Sequence, residues 1–390
     1  MTGVMRSGTS SAPWPPIHTV PGPGSSGRWC EGSRRQEANR KRAARCFQGG
    51  SARCRKGESM KRVVARAAAR VDLAGGSLDL WPIGVMLPGA KTLNVAVGLY
   101  ATAQCEPNGQ PGVHLISEDF QADYVWRPGD APGPLALAER LCEIYGVVRG
   151  WTVVSSSEIP HGSGLGGSSA LSVALALALG RSVHRYPGAG RIVAECRDLE
   201  AAHLRIPTGI QDFWPALMGG VIRLRYQAGG THVERLPIPL KTFETRMVVA
   251  FSGQSRLSAR TNWNLMKRFL DGDEKVRRCL LGIAQTAGLM EEQMLAGNWD
   301  AVGPLMAEEW RFRKGLAEGI STPVMDAALE VAASAGSLGG KGCGAGGGGC
   351  LAFWTREGSH LAVEGALRDG GLRVLSARAV DRGGFVEVES

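Results

Sequence analysis

The residues Pro160-His161-Gly162-Ser163-Gly164-Leu165-Gly166-Gly167-Ser168-Ser169-Ala170 run straight into LSVALALALG, an apolar series built from good helix formers. A glycine inside a helix costs about 1 kcal/mol relative to alanine. Glycines packed ahead of a helix therefore point to a backbone that needs unusual dihedrals or close approach to a ligand. Amides without bulky side chains can crowd round an anion, and a helix starting at Ser168 and Ser169 would aim its positive dipole end at the same place. The segment predicts a phosphate-binding turn between a strand over Trp151 to Ser156 and a helix over Ser168 to Leu179. Taken alone it also fits a structural turn with Ser168 as a simple N-cap.

Two phosphate motifs with similar spelling fit poorly. Gly162-x-Gly164-x-x-Gly167 meets the dinucleotide pattern, but that fold needs a second strand tipped with an acid about 20 residues on. Here that zone is the turn Arg185-Tyr186-Pro187-Gly188-Ala189-Gly190. The pair Gly340-Lys341 is followed by Gly342, not by the Ser or Thr of a Walker loop.

The 390 residues are 44% hydrophobic and 21% charged, ordinary values for a globular chain of about two domains. The net charge of +9 suggests nucleic acid until its placement is considered. Residues 1–60 hold eleven Lys and Arg against three acids, so the remainder is nearly neutral. Rich in Pro, Gly, Ser and Arg and without periodicity, residues 1–60 read as a disordered basic tail, with Met60 as a candidate natural start. A signal peptide is not expected, since no apolar run follows Arg6. The nine cysteines are scattered with no CxxC pair, which argues against a zinc site or a disulfide framework and makes the cytoplasm the expected location. The longest apolar run, Leu171 to Leu179, is too short to span a membrane.

Strand patterns fall at Val63 to Leu73, Thr92 to Leu99, Val113 to Ile116, Gly219 to Leu224 and Arg246 to Phe251. Helical spacing is found at Leu135 to Tyr145, Gly190 to Leu204, about Arg256 to Glu318 with breaks near Asp271-Gly272-Asp273 and Gly297-Asn298, and Thr322 to Ala333. The end reads as a glycine-rich loop, a strand over Cys350 to Trp354, a helix over Ser359 to Leu367, and strands near Leu372 to Ser376 and Phe385 to Val388. Without a strict βαβ rhythm this predicts an α+β chain in two halves, 61–235 and 236–390.

Two further segments belong with the first. Ala69-Arg70-Val71-Asp72-Leu73-Ala74-Gly75-Gly76-Ser77-Leu78-Asp79 ends a strand in a polar glycine turn, and residues 339–349 contain eight glycines. In this order the three segments resemble the three motifs of the GHMP kinases, the family of galactokinase, homoserine kinase, mevalonate kinase and phosphomevalonate kinase. The loop matches the family pattern P-x-x-x-G-L-G-S-S-A with one residue more between Leu165 and Ala170. The resemblance covers about residues 61–390 and implies a ribosomal protein S5 domain 2-like half followed by a ferredoxin-like half.

It also implies a site. ATP would lie on Pro160, Gly162, Ser163, Gly164, Leu165, Gly166, Gly167, Ser168 and Ser169, with Lys341 and Gly346 near its phosphates; Mg2+ would be held by Ser169 and Glu200, with Glu195 the rival for the acidic ligand. Asp212 would accept the proton of the attacking hydroxyl, and Arg70 would neutralise the transferred group or pair with Asp212. Phosphoryl transfer needs this combination of cationic neutralisation and a positioned carboxylate. Asp212 stands among Ile210, Phe213, Trp214, Ala216 and Leu217, where an unpaired carboxylate is costly to bury, so a partner is expected. Acceptor hydroxyls would meet Asp79, Gly76 and Ser77, and Arg256 would supply a substrate phosphate site. The form AGG-x-x-D with GIQD is closer to heptose 7-phosphate kinase and fucokinase than to galactokinase. The alternatives are a non-sugar acceptor such as mevalonate or homoserine, a nucleotide or sugar sensor without turnover, and a nucleic-acid role for the basic tail. Neither nucleic acid nor membrane is expected as a partner of the body, which would act as monomer or homodimer.

Overall fold

The computed structural model describes residues 62–254 and 259–389. The expected tail over 1–60 and the expected phosphate ligand Arg256 lie outside them. In chain order the strands are β1 (Arg62–Ala74), β2 (Lys91–Pro107), β3 (Val113–Ser117), β4 (Ala122–Trp126), β5 (Trp151–Ser157), β6 (Val221–Gln227), β7 (Gly230–Leu236), β8 (Met247–Phe251), β9 (Ser337–Gly342), β10 (Cys350–Thr355), β11 (Arg373–Leu375) and β12 (Phe385–Glu389). The helices are α1 (Ile83–Met86), α2 (Ala136–Tyr145), α3 (Gly167–Ser182), α4 (Ala189–Leu204), α5 (Phe213–Met218), α6 (Lys241–Arg246), α7 (Ala259–Leu270), α8 (Glu274–Leu295), α9 (Val302–Lys314), α10 (Pro323–Ser334) and α11 (His360–Asp369).

Two sheets organise the chain. The larger runs β12-β1-β2-β5-β3-β4, with β6 also paired to β2 and β7 to β6. Residues 67–76 are all buried, because helices cover β1 on both faces, and a strand in that position needs an almost continuous apolar run. Arg62 and Arg66, near its edge, instead form ion pairs with Glu389 and Glu387 of β12. β2 is long enough to serve two neighbours, β6 along Lys91 to Val95 and β5 along Ala101 to Pro107.

The second sheet is antiparallel in the order β11-β8-β10-β9, the ferredoxin-like arrangement that the family resemblance implied. Its core includes Trp354, which meets Phe243 edge to face and donates from Nε1 to the Trp299 carbonyl at 2.8 Å.

Two expectations are corrected. Residues 339–342, read as glycine-rich loop, belong to strand β9, paired with β10 along Gly339 to Gly342. The glycines there let α9 approach the sheet: a Cβ on Gly339 would come within 2.0 Å of the Gly303 carbonyl oxygen. The C-terminal strand does not stay with its own half. β12 pairs antiparallel with β1 and completes the first sheet, so residues 236–390 are not one uninterrupted lobe.

Candidate active site

The loop ahead of α3 has positive φ at Gly162 (+67°), Gly164 (+73°) and Gly166 (+76°), alternating with residues of ordinary handedness. Such alternation turns successive amides toward one concavity, an anion-binding nest. At Gly164 the need is steric as well, since a Cβ would meet the Cys343 carbonyl oxygen at 2.5 Å. Gly166 is the N-cap of α3 and no side chain caps that end. The first-turn amides are thus left for another acceptor. Leu165 is fully buried and anchors the loop from beneath.

Arg70 holds this loop to β1. Its amide donates to the Leu165 carbonyl at 3.0 Å, and its Nη1 donates to the Gly164 carbonyl at 2.5 Å. The remaining edge of the guanidinium meets Asp212: Nε lies 2.9 Å and Nη2 2.7 Å from Oδ1. Burial alone would lower the Arg70 pKa, but the charges of Asp212 and Asp72 more than offset it and hold the group well into its charged form. Asp212 is the N-cap of α5, yet its side chain makes no cap bond and is turned to Arg70 and to Gly166, whose Cβ position lies 3.2 Å from the Asp212 Cβ. The expected pairing of Asp212 with Arg70 is what the fold builds.

Two more carboxylates face the same space. Asp79 accepts from the Gln211 amide at 3.1 Å, and a Cβ on Gly209 would overlap its Oδ2. Burial, aided by the Asp212 charge, pushes its carboxyl up to about 6. Glu200 of α4 is pushed up to about 7, first by burial and then by the charge of Asp212, while a hydrogen bond from Ser168 acts in the other direction. Glu195, the rival ligand, is bound instead to Arg185 and Arg191.

Several expected roles shift. The serine facing Glu200 is the exposed Ser168; Ser169, expected as the metal ligand, is 3% exposed on the buried side of the first turn of α3. Lys341, expected near phosphate, is fully buried in β9 and lies 3.0 Å from Glu309 and 3.4 Å from Asp72. Gly346 packs on the Ile320 carbonyl, and Gly76 covers an ion pair between Asp72 and Arg313, with Ser77 beside it at a φ of +72°. Sequence reasoning missed Asp72, Glu309 and Arg313, because nothing in the spacing of WRFRK marks an arginine as buried.

The residues present fit a divalent cation with phosphate. No group of three His, Cys, Asp or Glu able to hold a metal is found among the described residues. Magnesium usually takes one or two carboxylates and completes its shell with phosphate and water. Glu200 and Ser168, which are hydrogen-bonded to each other, supply that minimum.

The family model described as GHMP kinases N terminal domain matches residues 133–220, and that described as GHMP kinases C terminal matches residues 290–371. A D-glycero-alpha-D-manno-heptose 7-phosphate kinase of Campylobacter jejuni is 25% identical over 79% of this chain and 94% of its own length. A mevalonate kinase of Methanothermobacter thermautotrophicus is 28% identical over 56% of this chain and 69% of its own. The crystal structure of a D-glycero-D-manno-heptose 1-phosphate kinase from Bacteriodes thetaiotaomicron superposes with a TM-score of 0.66 at 21% identity, over 84% of this chain and all of that one. With both halves of the fold, the glycine loop and the paired Arg70 and Asp212 in place, the chain belongs to the GHMP kinase family, ATP-dependent phosphotransferases that act on a hydroxyl group.

Proposed function

We propose that the acceptor is a sugar or sugar phosphate of the heptose 7-phosphate or fucose type, phosphorylated on a hydroxyl with Mg2+ as the metal. The observation that carries this reading is the placement of Asp212 between the glycine loop and Asp79, with Arg70 behind it. The amides of 162–169 hold the triphosphate, and Glu200 with Ser168 holds the cation, which when bound neutralises the phosphates. Asp212 takes the hydroxyl proton, and the fixed Arg70 charge keeps that carboxylate aimed at the loop. Asp79, whose raised pKa of about 6 leaves it ionised near neutrality, accepts hydrogen bonds from neighbouring acceptor hydroxyls. Arg256 supplies the phosphate contact in this reading.

Support for a sugar comes from the acidic Asp79 turn and from the heptose phosphate kinase similarity, which covers almost the full length of that relative. The similarity to mevalonate kinases favours a non-sugar acceptor as second reading. We place the enzyme in the cytoplasm as monomer or homodimer; no helix among the described residues is long and apolar enough to cross a membrane. The test is ADP release from MgATP with free and phosphorylated hexoses and heptoses, mevalonate and homoserine, Asp212→Asn serving as blank. Turnover of a heptose phosphate or fucose-like sugar alone is expected. Turnover confined to mevalonate or homoserine would overturn the sugar reading, and turnover of nothing would overturn the proposed acceptor class as a whole.

A further inference from the structure

We propose that Arg313 is a positioning residue that locks the acceptor turn to both glycine loops, holding donor and acceptor sites in one register. This rests on the kinase reading above. Arg313 projects from the last turn of α9 and is 2% exposed. Its Nη2 donates to Asp72 Oδ2 at 3.0 Å, and Asp72 stands on β1 just before the turn 75–79. Its Nη1 donates to the Gly344 carbonyl at 2.9 Å in the third motif. Gly344 in turn lies against Gly164, its Cβ position being 3.0 Å from the Gly164 Cα, so the two glycine loops touch directly. One planar fork thereby joins three segments that are far apart in sequence, which a lysine point charge cannot do.

The surrounding charges serve the same geometry. Glu309, one helical turn earlier, accepts from Nη2 at 2.7 Å and orients the fork. Lys341 of β9 closes the set by lying between Glu309 and Asp72. Two acids and two bases, each 0–2% exposed, form a neutral cluster. A buried cluster of this kind often returns no more stability than apolar residues of the same volume would. Its distinguishing property here is where its arms end. Arg246, another buried arginine of the second half, ends on Asp300, Glu357 and the Thr355 carbonyl and touches neither glycine loop nor acceptor turn.

Reacting groups misplaced by about 1 Å can lose about 100-fold in rate. The experiment has two arms. In amide hydrogen exchange of the full chain without ligand, Arg313→Lys is expected to speed exchange at least about tenfold at the hydrogen-bonded amides of Leu78, Ala170 and Cys350 together, whereas Arg246→Lys speeds none of them. Gly76→Ala attacks the same link from the other side, because its Cβ would lie 2.1 Å from Arg313 Nη2 and 2.2 Å from Asp72 Oδ2, and should reproduce the pattern even if Arg313→Lys does not fold. In the kinetic arm, with MgATP and the best acceptor of the panel, Arg313→Lys should lower kcat by about 30- to 100-fold with both KM values within about threefold. Exchange that rises only within α9, or equally in Arg246→Lys, refutes the link; an unchanged kcat refutes its role in register. If the wild-type chain turns over no acceptor, the acceptor reading fails while the exchange arm still decides the link.

Discussion

Replacing Asp212 by asparagine separates chemistry from scaffold, and the structure sets the size of each effect. The substitution keeps the shape and one accepting oxygen toward Arg70 but removes the negative charge facing a guanidinium that is 3% exposed. Hydrogen bonds to charged groups contribute about 1.5–3 kcal/mol. Asp212 is 27% exposed, and Arg70 keeps the Gly164 carbonyl and the nearby charge of Asp72, so the loss in stability should be smaller, about 1–2 kcal/mol. At about 2–4 °C per kcal/mol, the range for domains somewhat smaller than this body, the melting temperature should fall by about 2–8 °C. Removing a general base costs about 10²–10⁴-fold in rate, equivalent to about 3–5 kcal/mol in the barrier. The variant should therefore be folded at 25 °C, bind MgATP with a KM within about threefold of wild type, and be almost inactive in a coupled ADP-release assay. A kcat within about tenfold of wild type would sink the assignment of Asp212 as base, and a melting temperature lowered by more than about 15 °C would show that the pair is mainly a structural fastening.

Two other expectations follow from the same site. The Glu200 carboxyl, pushed up to about 7, binds more protons folded than unfolded between its ordinary value near 4.5 and 7, so the metal-free protein should gain stability as pH falls through 7 and lose it as pH rises. Magnesium competes with that proton, so the Mg2+ concentration for half-maximal activity should rise as pH drops from 8 to 6; Glu200→Gln should raise it by about 10–100-fold and flatten both trends, as titration of Mg2+ at several pH values would reveal. Gly164→Ala forces a side chain into left-handed backbone, about 1–2 kcal/mol, and against the Cys343 carbonyl, so the KM for ATP should rise at least about tenfold while Gly89→Ala, at an exposed turn of the same handedness with nothing near its Cβ, leaves it unchanged.

The α+β architecture and the glycine loop were legible in the amino-acid sequence from local cues, apolar periodicity and glycines at a strand-to-helix junction, whereas Arg70, Asp79 and Glu200 were singled out only through the family resemblance, and Asp212 through it and its apolar neighbours. The three ordered segments added the family and hence their partners. What neighbours decide was not legible. Ser168 and not Ser169 faces Glu200 because the helical phase turns Ser169 into the core, which composition does not reveal. Residues 339–342 form a strand because β10 pairs with them, and β12 leaves its half because β1 offers an open edge. In a one-dimensional reading Lys341 is expected near phosphate and Arg313 looks like a solvated charge. Only tertiary packing brings Asp72 of β1 to both of them and Glu309 of α9 to Lys341, since an ion pair between residues 241 positions apart is a property of how the chain closes on itself.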